Sequence, residues 1–409
     1  MSLKKYNIPY LLVIVASLGY FVDIYDLILF QVVKADSLIA LGYKTETELF
    51  EYGTRLFNFQ MIGMLVGGLL WGIMGDKIGR VKVLFGSILL YSIANLGNAF
   101  VYDINTYSVA RFIAGVGLAG ELGAGITLIS ETMEKDKRGI GTMIIVSFGA
   151  LGAVMAALLK KSGLDWSTLY IIGGVLGLLL LALRAGTLES GMYKSLDDSS
   201  VQRGNFFMLF QSKERFLKYI TCIGVGVPIW FIIAVLMGNA KKFAVLLNVS
   251  GEVHTEDAIM YSYIGLCVGD IFSGLLSQVL KSRKKVVLTY LLISVICIVL
   301  YLVLKNISVE LFYFMCFALG AGTGYWALFV TIASEQFGTN IRSTVTNTVP
   351  NFVRGSVWPI TSLFKYLSIT CSLGMVYSGY LVGGICMLIA FISLYFVRES
   401  FHKDLDYLE

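Results

Sequence analysis

Six charged side chains lie within long apolar stretches: Asp23, Asp26, Arg111, Glu121, Asp270 and Arg354. An ionised group at the centre of a membrane helix costs about 2.5–3.5 kcal/mol on insertion scales, so each wants a partner, water or a proton. Buried carboxylates can take up and release protons, and arginines can hold an anion. The chemistry on offer is ion recognition and proton exchange, not bond breaking. The two histidines, His254 and His402, fall outside the apolar stretches, which leaves carboxylates as the titrating groups. No HExxH, phosphate loop or nucleophile elbow is present. Cys222, Cys267, Cys297, Cys316 and Cys386 lie in apolar stretches and Cys371 just between two of them, none in a CxxC, so neither a disulfide framework nor a zinc site is indicated. Residues 115–120 fit GxGxxG formally. No strand precedes them, so close helix packing is the better reading.

The elements that must position these groups are membrane helices. Hydrophobic residues make up 57% of the chain and charged ones 14%, with mean hydropathy +0.77. Soluble domains sit near 45–50% and 25%. About 20 apolar residues cross the hydrocarbon layer. The sequence predicts twelve such spans: 9–33, 55–75, 83–101, 106–132, 139–160, 166–186, 217–239, 258–280, 286–304, 310–333, 344–367 and 373–397. The polar interval 187–216 divides them into residues 1–186, a cytoplasmic linker, and residues 217–409. An echo supports duplication. Ser130-Glu131 and Arg138 return as Ser334-Glu335 and Arg342, and Gly120 as Gly324, all at 334 − 130 = 204. With the N-terminus inside, the inner loops carry about 21 of the 32 basic residues, from Lys4 and Lys5 through Lys135 and Arg184 to Lys403. Both termini are therefore expected in the cytoplasm. The net charge of +5 lies in short loops and gives no case for nucleic acid. No cleavable signal peptide is apparent, and the first span reads as retained.

The loop after span two reads Gly72-Ile-Met-Gly75-Asp76-Lys-Ile-Gly79-Arg80-Val-Lys82. It resembles the G-x-x-x-D-x-x-G-R-x-K/R signature of the major facilitator superfamily. In the second half the equivalent loop is degenerate, with Gln278 where an aspartate would stand. Gly19-Tyr-Phe-Val-Asp23-Ile-Tyr25-Asp26 and Gly120-Glu121-Leu-Gly-Ala resemble elements of the metabolite:proton symporters and their organic-ion-transporter relatives. Glu131…Arg138-Gly139 and Glu189-Ser190 resemble further elements of that branch, the latter without its usual proline. The resemblance implies an all-α membrane protein of twelve transmembrane helices. They form two six-helix bundles related by a pseudo-two-fold around a central cavity, each bundle a pair of inverted repeats. It also implies an inner latch of Asp76, Arg80, Glu131 and Arg138, with Glu335 and Arg342 as a weaker copy.

Depth along the spans sharpens the site. At 1.5 Å per residue, Arg111 lies roughly 8 Å below the outer face, level with Asp23 and Asp26. Arg111 is expected to face one of them, with protonation of Asp23 freeing the cation for an anionic substrate. Glu121 lies about 15 Å deeper and should meet the cavity or another helix. In span eleven, Asn347, Asn351, Arg354 and Trp358 follow at i, i+4, i+7 and i+11, one helical stripe expected to line a water-filled path. Asp270 is at similar depth, as partner to Arg354 or second titrating group. Tyr325 and Trp326 are candidates for an aromatic wall. The expected function is proton-coupled uptake of a small anionic metabolite by a monomer in the cell membrane, driven by the proton gradient with no cofactor or metal. Efflux of amphipathic or cationic compounds and a non-transporting sensor are the alternative classes. A membrane-embedded enzyme lacks any nucleophile or metal set.

Overall fold

A computed structural model describes residues 7–134, 137–184, 203–401 and 407, with side chains from Val13 onward. Lys4, Lys5, Lys135, Glu189, Ser190, His402, Lys403 and residues 187–202 of the expected linker lie outside the described residues. The first half comprises α1 (Asn7–Ala40), α2 (Glu46–Ile78), α3 (Arg80–Asn98), α4 (Ile104–Leu118), α5 (Glu121–Thr132), α6 (Arg138–Lys161) and α7 (Trp166–Leu183). The second comprises α8 (Lys213–Phe231), continued by a π-helical segment (Ile232–Met237), α9 (Ala240–Leu246), α10 (Thr255–Leu280), α11 (Arg283–Val303), α12 (Val309–Gly322), α13 (Trp326–Glu335), α14 (Arg342–Gly355), α15 (Val357–Lys365) and α16 (Gly374–Phe396).

Local sequence explains the ends. Thr45 caps α2, accepting from the Glu48 N–H at 3.2 Å, while the Glu48 carboxylate accepts from the Thr45 N–H at 3.0 Å. Asp103 caps α4 through the N–H groups of Asn105 and Thr106. Asp165 caps α7, and hydroxyls of Ser167 and Thr168 hold its carboxyl down at about 2. Between α2 and α3 the chain turns at Gly79 with φ of 108°, a region that favours glycine.

Eleven helices among the described residues are long and apolar enough to cross a membrane. The remaining expected span is filled by α14 and α15, where Asn347, Asn351 and Arg354 dilute the apolar content and Ser356 breaks the helix. This is a multi-pass membrane protein. Two other spans are also interrupted, at Ala119–Gly120 between α4 and α5 and at Thr323–Tyr325 between α12 and α13. The echoed glycines, Gly120 and Gly324, sit at these two breaks. Across the halves, α2 packs on α14 and α6 on α10. Each helix pair belongs to one half and the other, so the seam has the two-bundle form that the resemblance implies.

Candidate functional site

At the centre of the seam, Tyr20 of α1 meets Trp326 of α13 and Arg354 of α14. Arg354 is fully buried. Its Nη1 donates to Asn351 Oδ1 at 3.1 Å and its Nη2 to the Tyr20 hydroxyl at 3.4 Å. Trp326 Nε1 donates to the same hydroxyl at 3.0 Å, and the guanidinium lies 5.6 Å from the indole centroid. With Trp230 and Tyr263 they line a cavity with about 20 Å³ of room for water centres. That is enough for one or two waters. No carboxylate lines it, and two donors, Arg354 Nε and Trp230 Nε1, make no hydrogen bond. Such a wall suits a ligand that brings acceptors and negative charge.

Other residues of the expected stripe do different work. Asn351 Nδ2 donates across the seam to the Ala119 carbonyl at 2.8 Å, while Asn347 Nδ2 donates to Ser343 in its own helix at 2.9 Å. Trp358 is 56% exposed and does not line the path. The stripe therefore reaches the path only as far as Arg354. Tyr325 is core: its hydroxyl donates to the Val225 carbonyl at 3.0 Å. Asp270 is not the partner of Arg354. Its Oδ1 accepts from the Ala327 N–H at 2.9 Å, satisfying a donor that the broken helix leaves open at the start of α13.

Inside the first half, Asp23, Asp26 and Arg111 are fully buried. None of their charged atoms makes a hydrogen bond of normal geometry, although the Asn95 amide stands beside Asp26 and the Tyr170 hydroxyl beside Arg111, and the expected direct Arg111–aspartate contact is not formed. Arg111 instead lies 5.0 Å from the Phe30 ring centroid and 5.7 Å from that of Tyr170. Two aromatic faces hold the cation where a carboxylate was expected. At longer range, the largest attraction at Asp26 comes from Arg111, and at Asp23 from Arg354.

Glu121 does meet another helix. Arg184, just past α7, donates to both its oxygens, at 2.9 and 2.5 Å, and to the Val15 carbonyl at 3.1 Å. By its place in the sequence Arg184 is a loop cation; in the fold it is 1% exposed. This pair explains Gly19. A Cβ there would stand 2.0 Å from both Arg184 Nη2 and Glu121 Oε1.

The end carrying the Gly79 turn is closed. Asp76 at the end of α2 accepts from the N–H groups of Ser343 (3.1 Å) and Thr344 (2.8 Å), so one half's carboxylate caps the other half's helix α14. Arg80 donates to Glu131 at 2.8 Å, and Arg342 reaches the same oxygen at 3.3 Å. Thr127 and Thr346 share a 2.5 Å hydrogen bond. Arg138 donates through Nε to the Met133 carbonyl at 3.2 Å. The second-half cluster is not a weak copy. Arg283 grips Glu335 at 2.7 and 2.8 Å, and Ser400 adds a third donor at 2.8 Å. Arg283 opens α11 as Arg80 opens α3, a correspondence hidden by the degenerate loop. Arg342, expected beside Glu335, crosses to Glu131.

Comparison with known proteins places this geometry. Over 130 residues the chain is 34% identical to a 3-(3-hydroxy-phenyl)propionate transporter of Escherichia coli, covering 31% of this chain and 32% of that one. Over 123 residues it is 32% identical to a niacin transporter of Acinetobacter baylyi, covering 29% and 28%. These matches span about a third of the relatives' length. A solved proton:xylose symporter, XylE, bound to 6-bromo-6-deoxy-D-glucose, superposes with TM-score 0.75 over 98% of both chains at 15% identity, a likeness of fold. The family model described as Major Facilitator Superfamily matches residues 16–362. A signature turn, a seam of broken helices and a match across most of the sequence agree: the chain belongs to the major facilitator superfamily.

Proposed function

We propose that the chain is a secondary active transporter, not an enzyme, that carries a small aromatic carboxylate together with a proton by alternating access. The observation that carries this reading is the central cavity, where Arg354 and Trp230 present uncommitted N–H donors within aromatic walls that hold no carboxylate. A ring bearing a carboxylate satisfies both features. The hydroxyphenylpropionate and niacin relatives are named for solutes of that class.

The proton would act through Asp23. Charged, it competes with an incoming anion for Arg354; protonated, it releases the guanidinium to the solute. Asp26 and Arg111 supply a second coupled pair, and Glu121 holds α1, α5 and α7 in register through Arg184. Opening the closed end requires Asp76 to leave the α14 terminus, Arg80 to leave the Thr339 carbonyl and Glu131 to leave Arg342, while the Arg283–Glu335 pair lies within the second half. Energy comes from the proton gradient, without metal or nucleotide. The lysine-rich and arginine-rich loops support an orientation with the closed end and both termini at the cytoplasmic face of the cell membrane. One chain suffices, since the seam is internal to it.

Proteoliposomes holding the full chain test this with a panel of aromatic carboxylates, including nicotinate and 3-(3-hydroxyphenyl)propionate. An inward proton gradient should drive accumulation that a protonophore abolishes. Losing a charged hydrogen bond costs about 1.5–3 kcal/mol, so Arg354→Gln should weaken binding roughly ten- to a hundredfold. Unchanged uptake by that variant, or gradient-driven accumulation of cations instead, overturns the assignment.

A further inference from the structure

At the end opposite the Gly79 turn, a cavity of about 650 Å³ opens between α1, α2, the π segment and α15. The central cavity admits no more than a water or two in this conformation. An aromatic acid arriving from this side therefore finds room in the outer one rather than at the centre. Its lining carries Lys34, Lys241 and Lys242 against a single carboxylate, Glu46. Phe50 and Phe57 supply apolar surface.

The two inner lysines are weakly committed. Among the described residues Lys34 has no carboxylate within ion-pair distance, and its neighbour Asp36 is taken by Lys160. Its Nζ donates to Gln31 Oε1 at 3.2 Å and to the Gly238 carbonyl at 3.0 Å. An ammonium has three donors, so one stays open. Lys242 lies 4.4 Å from the Phe50 ring centroid and 3.9 Å from Glu46, whose side chain is 85% exposed. An exposed pair at that separation is worth little.

We propose that this outer cavity is a second anion site, in which Lys34 and Lys242 hold the carboxylate of an aromatic acid and Phe50 and Phe57 receive its ring. The transport reading supplies only the order of events; the site itself stands or falls by binding. Occupancy has a structural consequence. The Lys34–Gly238 bond is charged at the donor only, whereas a carboxylate adds a full opposite charge at the acceptor, so it competes well with the Gly238 carbonyl for Lys34. Gly238 directly follows the π segment Ile232–Met237. In that segment Ile233 faces the central cavity, while Ala234 and Val235 face the outer one. Releasing Lys34 would thus untie α1 from the wall between the two cavities. π segments of this kind concentrate at functional sites.

Competitive acetylation tests the proposal on the full chain in detergent. Each lysine is labelled with acetic anhydride and quantified by mass spectrometry, with benzoate, with benzyl alcohol, or with neither. Benzoate should slow labelling of Lys34 and Lys242 several-fold and leave exposed Lys305 unchanged, whereas benzyl alcohol should protect none. Protection should persist in Arg354→Gln, which disables the central site, and protection of Lys34 should weaken in Lys242→Gln. Equal labelling with and without benzoate overturns the site. Equal protection by benzyl alcohol also overturns it, since the cavity would then be merely apolar. Loss of protection in Arg354→Gln overturns it too, by tracing the effect to the centre. None of these readouts uses transport, so failed uptake in proteoliposomes would sink the transport reading while leaving the anion site intact.

Discussion

Buried charge is handled differently in the two halves. In the second, Asp270 accepts a backbone N–H and Arg354 donates to Asn351 and Tyr20. In the first, Asp23, Asp26 and Arg111 are equally buried and make no hydrogen bond of normal geometry at their charged atoms. Groups held by fixed partners keep one geometry and one charge, which suits recognition. A carboxylate held only by the field of a distant arginine changes its state when that field changes. The difference therefore separates a half that presents a shaped surface to the solute from a half whose charge can respond to it. Tyr20 joins them, since it belongs to the first half yet completes the Arg354 site.

The comparison breaks most visibly at Asp23. Asparagine there keeps the shape and removes the titrating proton. Asp23→Asn should abolish gradient-driven accumulation and spare counterflow exchange, because exchange needs the anion site but no net proton movement. Intact accumulation in proteoliposomes would mean the first half is as static as the second. A smaller, structural effect is expected at the Glu121–Arg184 pair. Removing one member of a buried ion pair costs about 3–5 kcal/mol, because the other is left unpaired. Arg184→Gln should lower the melting temperature in detergent markedly, and Gly19→Ala should also lower it, since its Cβ would collide with the same pair. A Gly19→Ala protein as stable as the parent would show that the pair can shift at no cost.

Sequence alone carries the fold a long way, for a physical reason. Twelve intervals, a six-plus-six division and the signature turn are written in hydropathy, charge placement and glycine spacing, all local properties. Depth leaves Glu121 to the cavity or another helix, and the contact with Arg184 decides between them. What stays hidden depends on where helices stop being regular and what surrounds them. Trp358 has the spacing of the stripe, but spacing along a helix does not show where the cavity ends and the outward-facing surface begins. Asp270 looks like an arginine's partner because nothing in composition shows that α13 begins at Trp326 and needs an acceptor. Arg184 looks like a loop cation because it stands at the inner end of its span beside the polar interval, and only the tertiary position of Glu121 draws it inward. Tyr20 and Trp230 carry a fainter signal. Tyr20 stands between Gly19 and Asp23 in the first span, and a phenol hydroxyl buried there calls for a hydrogen-bond partner. The Trp230 indole N–H makes the same demand in the seventh span, but the sequence does not say which cavity answers it.

The finest test of the contrast is Asp270→Asn. The side-chain amide has the same shape, and its Oδ1 can still accept from the Ala327 N–H. The other carboxylate oxygen makes no hydrogen bond, so replacing it with an NH2 group breaks no observed contact. What the variant removes is the ability to carry charge. If Asp270 only closes the start of α13, uptake and its dependence on the proton gradient should stay within about twofold of the parent, less than the effect of one charged hydrogen bond. If accumulation collapses as in Asp23→Asn while exchange survives, then titration belongs to both halves and the division of labour fails. Asp270→Ala supplies the control. It leaves the Ala327 N–H without an acceptor, which costs about 1–3 kcal/mol, so it should lower stability where asparagine does not. The pair of variants separates the hydrogen bond from the charge at one position, which no comparison between different positions can do.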